Sequence, residues 1–533
     1  MILMLRNIFC IFLFSFQLLA ADQAARKADL TISIPMRDEL ELPTDLYFPE
    51  DSSKDLPCVL IRSPGGRSSR HALAFTYLTK LGYLVAIQET RCSLDKTGRT
   101  LPYCTDGWGF HQDGYDTVQW LGKSEFTNGK IGTVGASAMG ITQLLMAPTA
   151  PPALQCQYIG MAAANLYAEG IFLGGQFLKH QVEGWLGIYA RDPEVLAFIK
   201  KNDTYNIFWR NLDTTQVHHL VTVPGMFYSG WYDVFVQGTL DAFVGRNEKG
   251  AQGAKGTQKI IIGPWTHMWP LTKKLGDFEV PLNAQAPFKE FLPEYWFGFY
   301  LKGEENGAKS LPAVTYYVMG PFDQSPSKGN VWKTAKEWPI PAQVTPFYLR
   351  PDQMLSTQSL DTLAKVQYRY DPNQPTPTIG GKNLFLESGP KDQRPIEQRS
   401  DTLVFTSEPL QEDLEVTGRI IAKIYLSSNC RETDVVVRLT DVYPDGRSLL
   451  ITDGLKRTCT LDQYSENAPC EVEVDLWSTS MVFAKGHSIR VSISSSSYPR
   501  FEKSLNEGSP QIADNQIHFG GNVASRILLP IVK

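Results

Sequence analysis

Residues 130–147 place a serine between two contrasting stretches of sequence. The run 130–136 (Lys-Ile-Gly-Thr-Val-Gly-Ala) is short and largely apolar, which predicts a buried strand. The run 138–147 contains strong helix formers and is followed by Pro148, which predicts a helix that ends there. The small residues before Ser137 allow the backbone to turn sharply. The sequence therefore predicts a serine on a tight strand-to-helix turn, although a serine in this position can also serve only as a helix cap.

Two further polar residues follow apolar runs later in the chain. Residues 223–228 lead to Asp233, and residues 259–263 lead to His267. Such runs are typical of parallel strands buried on both faces, and the carboxyl ends of parallel strands meet at one edge of a sheet. The order Ser137, Asp233, His267 is that of the catalytic triad of an α/β-hydrolase. We therefore predict that His267 removes the proton of Ser137 and that Asp233 orients the imidazole ring.

Apolar runs and helical stretches alternate through the first part of the chain, which predicts a doubly wound α/β sheet. We assign the α/β-hydrolase domain to residues 21–150 and 222–311. Residues 151–221 interrupt the alternation with helix formers and many aromatic residues, and we expect a helical cap insertion over Ser137. Residues 312–533 contain short β-rich runs separated by turns, which predicts a C-terminal β-sandwich domain.

Several short motifs are similar to those of one enzyme family. They are residues 129–132 (Gly-Lys-Ile-Gly), 230–233 (Gly-Trp-Tyr-Asp), 263–267 (Gly-Pro-Trp-Thr-His) and 441–447 (Asp-Val-Tyr-Pro-Asp-Gly-Arg). In their order and spread they resemble the cocaine-esterase and X-prolyl dipeptidyl-peptidase family of serine hydrolases, also called acyl esterases. The resemblance implies a jelly-roll fold for the sandwich. It also implies hydrolysis of a small-molecule ester, amide or short peptide through an acyl-enzyme on Ser137.

The oxyanion hole is where the sequence departs from this family. The family usually has a tyrosine directly after the nucleophile, and a second tyrosine in an Arg-x-Pro-Tyr loop whose hydroxyl donates to the oxyanion. Here these positions hold Ala138 and Gly65. The backbone N–H of Ala138 needs no particular side chain to donate. We expect the backbone N–H groups of Gly65 and Gly66 to replace the missing hydroxyl, as a glycine-rich loop does in lipases.

Two other functions are compatible with the sequence. An X-prolyl dipeptidyl-peptidase or an α-amino-acid ester hydrolase needs carboxylates near the nucleophile to bind a substrate α-amino group. Residues 136–143 contain none, but Glu169 and Glu183 of the expected cap are candidates. A non-catalytic binding protein that uses its β-sandwich as a binding module is compatible with the altered oxyanion loops.

The N-terminus has the composition of an export signal. Arg6 precedes an almost wholly apolar run at 8–19, and Ala20 and Ala21 are small residues suited to cleavage. We interpret residues 1–20 as the signal peptide of a secreted or periplasmic protein that is free of the membrane after cleavage; a retained anchor is the alternative. The net charge of −5 comes without a basic stripe, so we expect no nucleic-acid partner. The sequence allows a homo-oligomer but does not determine the oligomeric state.

Export to an oxidising compartment would allow the cysteines to form disulfide bonds. One of the eight cysteines belongs to the predicted signal peptide, so an odd number remains. Cys92 and Cys104 bracket a loop, and Cys459 and Cys470 bracket a polar connection, so we predict a disulfide within each pair. Two others lie in apolar runs and are expected to be buried thiols: Cys58 and Cys156. No Cys/His spacing resembles a zinc site, and we expect neither a metal nor a cofactor.

Overall fold

The structure is a computed structural model that describes residues 26–458, 467–506 and 511–533. The predicted signal peptide and Cys459 lie outside these residues. Within the described ranges, no helix is both long and apolar enough to cross a membrane.

The first fourteen strands include those of the central sheet. They are β1 (Leu30–Pro35), β2 (Glu41–Tyr47), β3 (Leu56–Ser63), β4 (Leu84–Glu89), β5 (Thr127–Ala136), β6 (Leu154–Gly160), β7 (Phe172–Leu173), β8 (Gln176–Phe177), β9 (Gly225–Tyr232), β10 (Lys259–Thr266), β11 (Lys274–Leu275), β12 (Phe278–Glu279), β13 (Val314–Val318) and β14 (Val331–Ala335). Ten of them form one sheet in the order β1-β2-β4-β3-β5-β6-β9-β10-β13-β14. From β4 to β13 in that order the strands are parallel, and the edge strands pair antiparallel.

Helices cover both faces of this sheet. The α-helices are α1 (Arg70–Leu73), α2 (Arg91–Leu94), α3 (Asp113–Lys123), α4 (Ala138–Met146), α5 (Lys179–Tyr189), α6 (Pro193–Lys201), α7 (Ile207–Arg210), α8 (Val236–Lys249), α9 (Pro293–Lys302) and α10 (Arg394–Glu397). On β5, the Thr133 hydroxyl donates to Gln143 of α4 over 2.7 Å. A Cβ atom on the preceding Gly132 would lie 2.9 Å from Phe297 of α9. Because neighbouring residues of a strand point to opposite faces, α4 and α9 lie on opposite faces, and the predicted doubly wound α/β-hydrolase fold is confirmed.

The chain between β6 and β9 forms a cap over the cavity beside Ser137. It contains a π-helix at Leu166–Ile171, the hairpin β7–β8, the helices α5, α6 and α7, and two short 3₁₀ turns. The predicted start of this insertion at residue 151 is wrong, because β6 belongs to the main sheet and pairs with both β5 and β9. The side chains of β6 are almost all buried, as expected for a strand covered on both faces.

The remaining eleven strands form a β-sandwich. They are β15 (Gln343–Leu349), β16 (Leu355–Ser356), β17 (Ala364–Tyr370), β18 (Leu403–Thr406), β19 (Leu414–Ser428), β20 (Asp434–Val442), β21 (Ser448–Arg457), β22 (Cys470–Phe483), β23 (Ser488–Ser494), β24 (Ala513–Phe519) and β25 (Arg526–Val532). They make antiparallel sheets of seven and four strands. The predicted domain start at residue 312 is too early, because β13 pairs with β10 and β14 pairs with β13, so both strands still belong to the α/β sheet.

The sandwich packs directly against the α/β domain and its cap. The Tyr232 hydroxyl at the end of β9 donates to the carbonyl oxygen of Leu450 over 2.7 Å. In the cap, the Gln176 amide donates to the Asp434 carboxylate over 2.7 Å. These contacts hold the sandwich at the carboxyl-end edge of the parallel strands, so that it contributes to the same cavity as the cap.

The predicted disulfide between Cys92 and Cys104 does not form, because both residues are free thiols. The Cys92 side chain is buried and its Sγ lies 3.2 Å from the Thr90 hydroxyl, whereas Cys104 is exposed on the following loop. Cys470 is also a free thiol, and its predicted partner Cys459 lies outside the described residues. The two cysteines expected to be buried thiols are both buried and free: Cys58 and Cys156.

Candidate active site

Ser137 occupies the sharp turn between β5 and α4. Its backbone has φ of 56° and ψ of −125°, a strained conformation for a residue with a side chain. The turn is held by a hydrogen bond from the Ser137 N–H to the Gly160 carbonyl oxygen over 3.0 Å. A Cβ atom on Gly135 would lie 2.5 Å from Met139, and one on Gly140 would lie 2.7 Å from the oxygen of Gly160. The two glycines therefore provide the close approach that this turn requires.

The structure brings Ser137, Asp233 and His267 into one hydrogen-bonded chain. Nε2 of His267 lies 2.9 Å from Oγ of Ser137, and Nδ1 lies 2.7 Å from Oδ2 of Asp233. The ionised Asp233 carboxylate can only accept, so Nδ1 carries the proton and Nε2 is free to accept from the Ser137 hydroxyl. This is the arrangement in which a histidine acts as general base toward a serine.

Local packing fixes the two partners of Ser137. Asp233 is fully buried, and its second carboxylate oxygen accepts the N–H of Phe235 over 2.7 Å. The Phe235 ring then lies edge-on to the His267 imidazole, with ring centroids 5.6 Å apart. Trp265, two residues before His267, stacks on Trp269 with centroids 3.9 Å apart. Packing contacts on both sides of His267 therefore fix the loop that carries it.

The predicted oxyanion donors differ in whether their backbone N–H groups are free to bind an oxyanion. Ala138 is the first residue of α4, where a backbone N–H has no partner within the helix. The prediction for Gly66 is wrong, because its N–H donates to the Ser63 carbonyl oxygen over 3.0 Å and closes a turn. Gly65 is exposed, and its N–H donates no hydrogen bond within the described residues.

A largely apolar cavity opens beside Ser137. Its empty volume is about 680 Å³, part of which is open to solvent. Side chains from the cap, from the loop at residues 101–103, from Phe235 after β9 and from the sandwich line it, and none of the lining residues in the described part of the chain is charged. The aromatic and aliphatic lining includes Tyr103, Trp185, Leu186, Phe208, Trp209 and Leu384. Such a cavity suits an uncharged, apolar group of a substrate.

The two carboxylates proposed to bind an α-amino group do not line this cavity. Oε2 of Glu169 accepts the N–H groups of Ala164 over 2.7 Å and of Asn165 over 3.0 Å. Burial, together with the nearby Asp241 carboxylate, raises the pKa of Glu169 well above its ordinary value. Glu183 instead accepts hydrogen bonds from two lysine ammonium groups of the cap, at 3.0 and 2.9 Å.

The loop at residues 101–103 is a part of the site that the sequence did not reveal. It is anchored by Arg62, whose buried guanidinium pairs with Asp106 and donates to Gln88 over 2.8 Å. Tyr103 has a φ of 69° and stacks on Trp185 of the cap, with ring centroids 5.6 Å apart. The only local signal was a tyrosine between Pro102 and Cys104, which does not by itself indicate a cavity wall.

No group of three or more His, Cys, Asp or Glu side chains is arranged to hold a metal ion in the part of the chain that the structure describes.

Comparisons with known proteins agree with this geometry. Residues 38–194 and 185–269 match the sequence model of the X-Pro dipeptidyl-peptidase (S15 family), and residues 306–528 match that of the X-Pro dipeptidyl-peptidase C-terminal non-catalytic domain. Cocaine esterase from Rhodococcus sp. (strain MB1 Bresler) is 29% identical in an alignment that covers 94% of this chain and 98% of that protein.

Two solved structures share the fold over nearly the whole chain. An aminopeptidase from a marine sediment archaeon, Thaumarchaeota archaeon, superposes with a TM-score of 0.80 at 21% identity, covering 96% of this chain and 98% of the other. An α-amino acid ester hydrolase superposes with a TM-score of 0.76 at 22% identity, covering 94% and 96%. At these identities the likeness concerns the fold.

Fold, site and sequence matches together define a serine hydrolase with an α/β-hydrolase domain and a C-terminal β-sandwich. More specifically, the chain belongs to the family of the S15 X-Pro dipeptidyl-peptidases and cocaine esterase, as the sequence motifs predicted.

Proposed function

We propose that this protein is an exported serine esterase that hydrolyses carboxylic esters of apolar, uncharged acids through an acyl-enzyme on Ser137. The observation that carries the proposal is the opening of the Ser137–His267–Asp233 chain onto a cavity without a charged lining residue among those described.

The reaction follows from the positions of the three side chains. Oγ of Ser137 attacks the carbonyl carbon while Nε2 of His267 takes its proton, and the Asp233 carboxylate stabilises the imidazolium that forms. The N–H of Ala138 donates to the oxygen that becomes negative. His267 then returns the proton to the departing alcohol. A water molecule then attacks the acyl group in the same way, with His267 again as the base, and the acid is released from Ser137.

The absence of a carboxylate from the described lining separates this function from that of an aminopeptidase or α-amino-acid ester hydrolase. A protonated α-amino group would lose its hydration in an apolar cavity without gaining an opposite charge, which is costly. Glu169 is occupied by backbone N–H groups, and Glu183 is paired with lysines. A non-catalytic binding role has less support, because binding alone does not require a hydrogen-bonded serine, histidine and aspartate.

Export rests on residues 1–20, whose single arginine, apolar run and small residues are typical of a cleaved signal. Expression of the full chain in a bacterium, followed by cell fractionation and N-terminal sequencing, tests it. A mature protein that starts near Ala21 outside the cytoplasm supports export. An intact N-terminus in the cytoplasm contradicts it.

A substrate panel with a labelling control tests the proposed activity. We expect purified protein to react with a fluorophosphonate probe and to hydrolyse p-nitrophenyl butyrate and benzoate. The p-nitrophenyl ester of alanine with a free amino group should be a much poorer substrate than its N-acetylated counterpart, because acetylation removes the positive charge. Preference for the free amine would favour the α-amino-acid ester hydrolase. Lack of both labelling and turnover would favour the binding protein.

A further inference from the structure

The second donor of the oxyanion hole is not supplied by the turn at Gly66. An oxyanion in a serine hydrolase is normally stabilised by at least two preorganised donors, and the loss of one lowers the rate about 100- to 1000-fold. Ala138 offers one backbone N–H at the start of α4. Gly66 is excluded, since its N–H closes the turn to Ser63. The Gly65 N–H is not bonded, so the second donor is either that group or a side chain close to this loop.

The loop after β3 begins beside the helix that Ser137 starts. The carbonyl oxygen of Arg62, in the second-to-last residue of β3, accepts the hydroxyl of Thr142 over 3.3 Å. Thr142 lies about one turn after Ser137 in α4. Gly65 follows Arg62 by three residues and therefore stands near the amino end of α4.

Tyr189 of the cap fills the space in front of Gly65. Its Cε1 atom lies 3.3 Å from the position that a Cβ atom on Gly65 would take, and Cε1 is bonded to the ring carbon that carries the hydroxyl. The ring also packs on Trp185, with centroids 4.5 Å apart, and Trp185 lines the cavity together with Ser137 and Ala138. Tyr189 is thus held between the loop at Gly65 and the wall of the cavity.

The Tyr189 hydroxyl is free to donate a hydrogen bond. The residue is half-buried, and its hydroxyl forms no hydrogen bond with any described residue. Burial raises the pKa of Tyr189, so the hydroxyl keeps its proton at neutral pH and remains a donor. The hydroxyl is not among the buried polar atoms of the described residues that lack a partner, so it is open to solvent and can donate to a substrate oxyanion.

We propose that the Tyr189 hydroxyl is the second oxyanion donor and that the cap, rather than the loop after β3, completes the catalytic site. The inference rests on the proposed esterase function. It also fits the glycine at position 65, because a Cβ atom there would lie 3.3 Å from Cε1 of Tyr189, which is closer than an ordinary van der Waals contact.

Kinetics of Tyr189→Phe test the proposal. This substitution removes only the hydroxyl, so kcat for p-nitrophenyl butyrate should fall about 100-fold or more while KM changes little. Tyr348→Phe is the matched control, because Tyr348 is half-buried in the sandwich strand β15 and should keep the wild-type rate. A kcat of Tyr189→Phe within about threefold of wild type would overturn the proposal.

A swap of the hydroxyl sharpens the test. Tyr189→Ala should lose as much activity as Tyr189→Phe and also opens space in front of Gly65. A double variant that combines Tyr189→Ala with Gly65→Tyr returns a hydroxyl to that space from the loop. We expect its kcat to be at least tenfold above that of Tyr189→Ala alone. A double variant no faster than Tyr189→Ala contradicts the assignment of this space to the donor.

Two rival donors give different results. If the Gly65 N–H is the donor, Gly65→Pro loses kcat while Tyr189→Phe does not, and the proposal fails. If Tyr103 is the donor, only Tyr103→Phe shows the loss, and the proposal again fails. Wild-type protein that neither reacts with a fluorophosphonate nor turns over any ester would instead refute the proposed function itself, so the two failures are distinguishable.

Discussion

The two sides of the cavity around Ser137 are built from different kinds of structure. On one side, Ser137, Asp233 and His267 each follow a strand of the main sheet, and short hydrogen bonds fix them. On the other side, side chains from the cap, one loop and the sandwich meet through aromatic packing. The sheet therefore positions the reacting side chains, whereas the insertions determine which group enters the cavity and, in our proposal, supply one oxyanion donor.

The largest effect is expected on the strand-end side. Ser137→Ala removes the nucleophile, and the rate of ester hydrolysis should fall by at least about 10⁴-fold. Alanine fits the turn, so circular dichroism and the melting temperature should stay close to those of wild type. Measurable turnover at more than one hundredth of the wild-type rate, in homogeneous protein, would show that another residue carries the reaction.

A smaller, substrate-dependent effect is expected on the cap side. Trp185→Ala removes an aromatic wall, and the loss of about 1.5–3 kcal/mol of apolar contact should raise KM for a benzoyl ester at least tenfold. An acetyl ester is too small to use that wall, so its KM should hardly change, whereas any fall in kcat from the loss of packing on Tyr189 should be shared by both esters. Trp120→Ala in α3, away from the cavity, controls for general destabilisation. An equal rise of KM for both esters would contradict a role of Trp185 in acyl binding.

The buried carboxylate of the cap gives a pH effect of defined sign. Burial raises the pKa of Glu169. The folded protein therefore keeps a proton that the unfolded chain releases above the ordinary pKa of glutamate. The free energy of unfolding should therefore fall as pH rises from that value toward the folded pKa. Glu169→Gln keeps an acceptor for Ala164 and Asn165, and its melting temperature should fall less than that of wild type between about pH 5 and 8.

Glu183→Gln is the control for this pH effect. The ammonium groups of Lys200 and Lys179 outweigh the effect of burial and hold the pKa of Glu183 below its ordinary value. The Glu183 carboxylate therefore stabilises the fold above its unfolded pKa, and this stabilisation is lost as pH falls. The sign is opposite to that of the effect of Glu169. Identical pH profiles for wild type and Glu169→Gln would show that Glu169 does not carry a proton in the folded protein.

The smallest effect is expected from reduction of the protein. Cys92 and Cys104 are free thiols, so a reductant should not shift the activity, and both residues should be alkylated in unfolded, unreduced protein. Recovery of a Cys92–Cys104 linked peptide by non-reducing mass spectrometry would contradict the structure and would support an oxidising environment.

The strand-end side could be predicted because its signals are local. An apolar run followed by Ser137, Asp233 or His267 is readable without knowledge of the rest of the chain. The parallel sheet then brings the three residues together, since its strands share one carboxyl-end edge. The same reasoning failed at Leu154–Gly160, where an apolar strand was grouped with the aromatic segment that follows it.

The cap side could not be predicted because its contacts join distant parts of the chain. Trp185 and Leu384 line one cavity although about two hundred residues separate them in sequence, and neither lies in a motif that points to the other. The error at Gly66 has a related cause. A glycine-rich loop signals flexible backbone, but only the folded turn shows that its N–H is already bonded to Ser63.

Acid-quench mass spectrometry of the enzyme during turnover can detect an acyl group on Ser137. A p-nitrophenyl ester of a slowly released branched acid, such as trimethylacetate, should give a burst of nitrophenol equal to the enzyme concentration. The peptide that contains Ser137 should then carry the mass of the acyl group, and Ser137→Ala should show neither signal. Turnover by wild type without an adduct on that peptide, or with an adduct on another residue, would contradict the account.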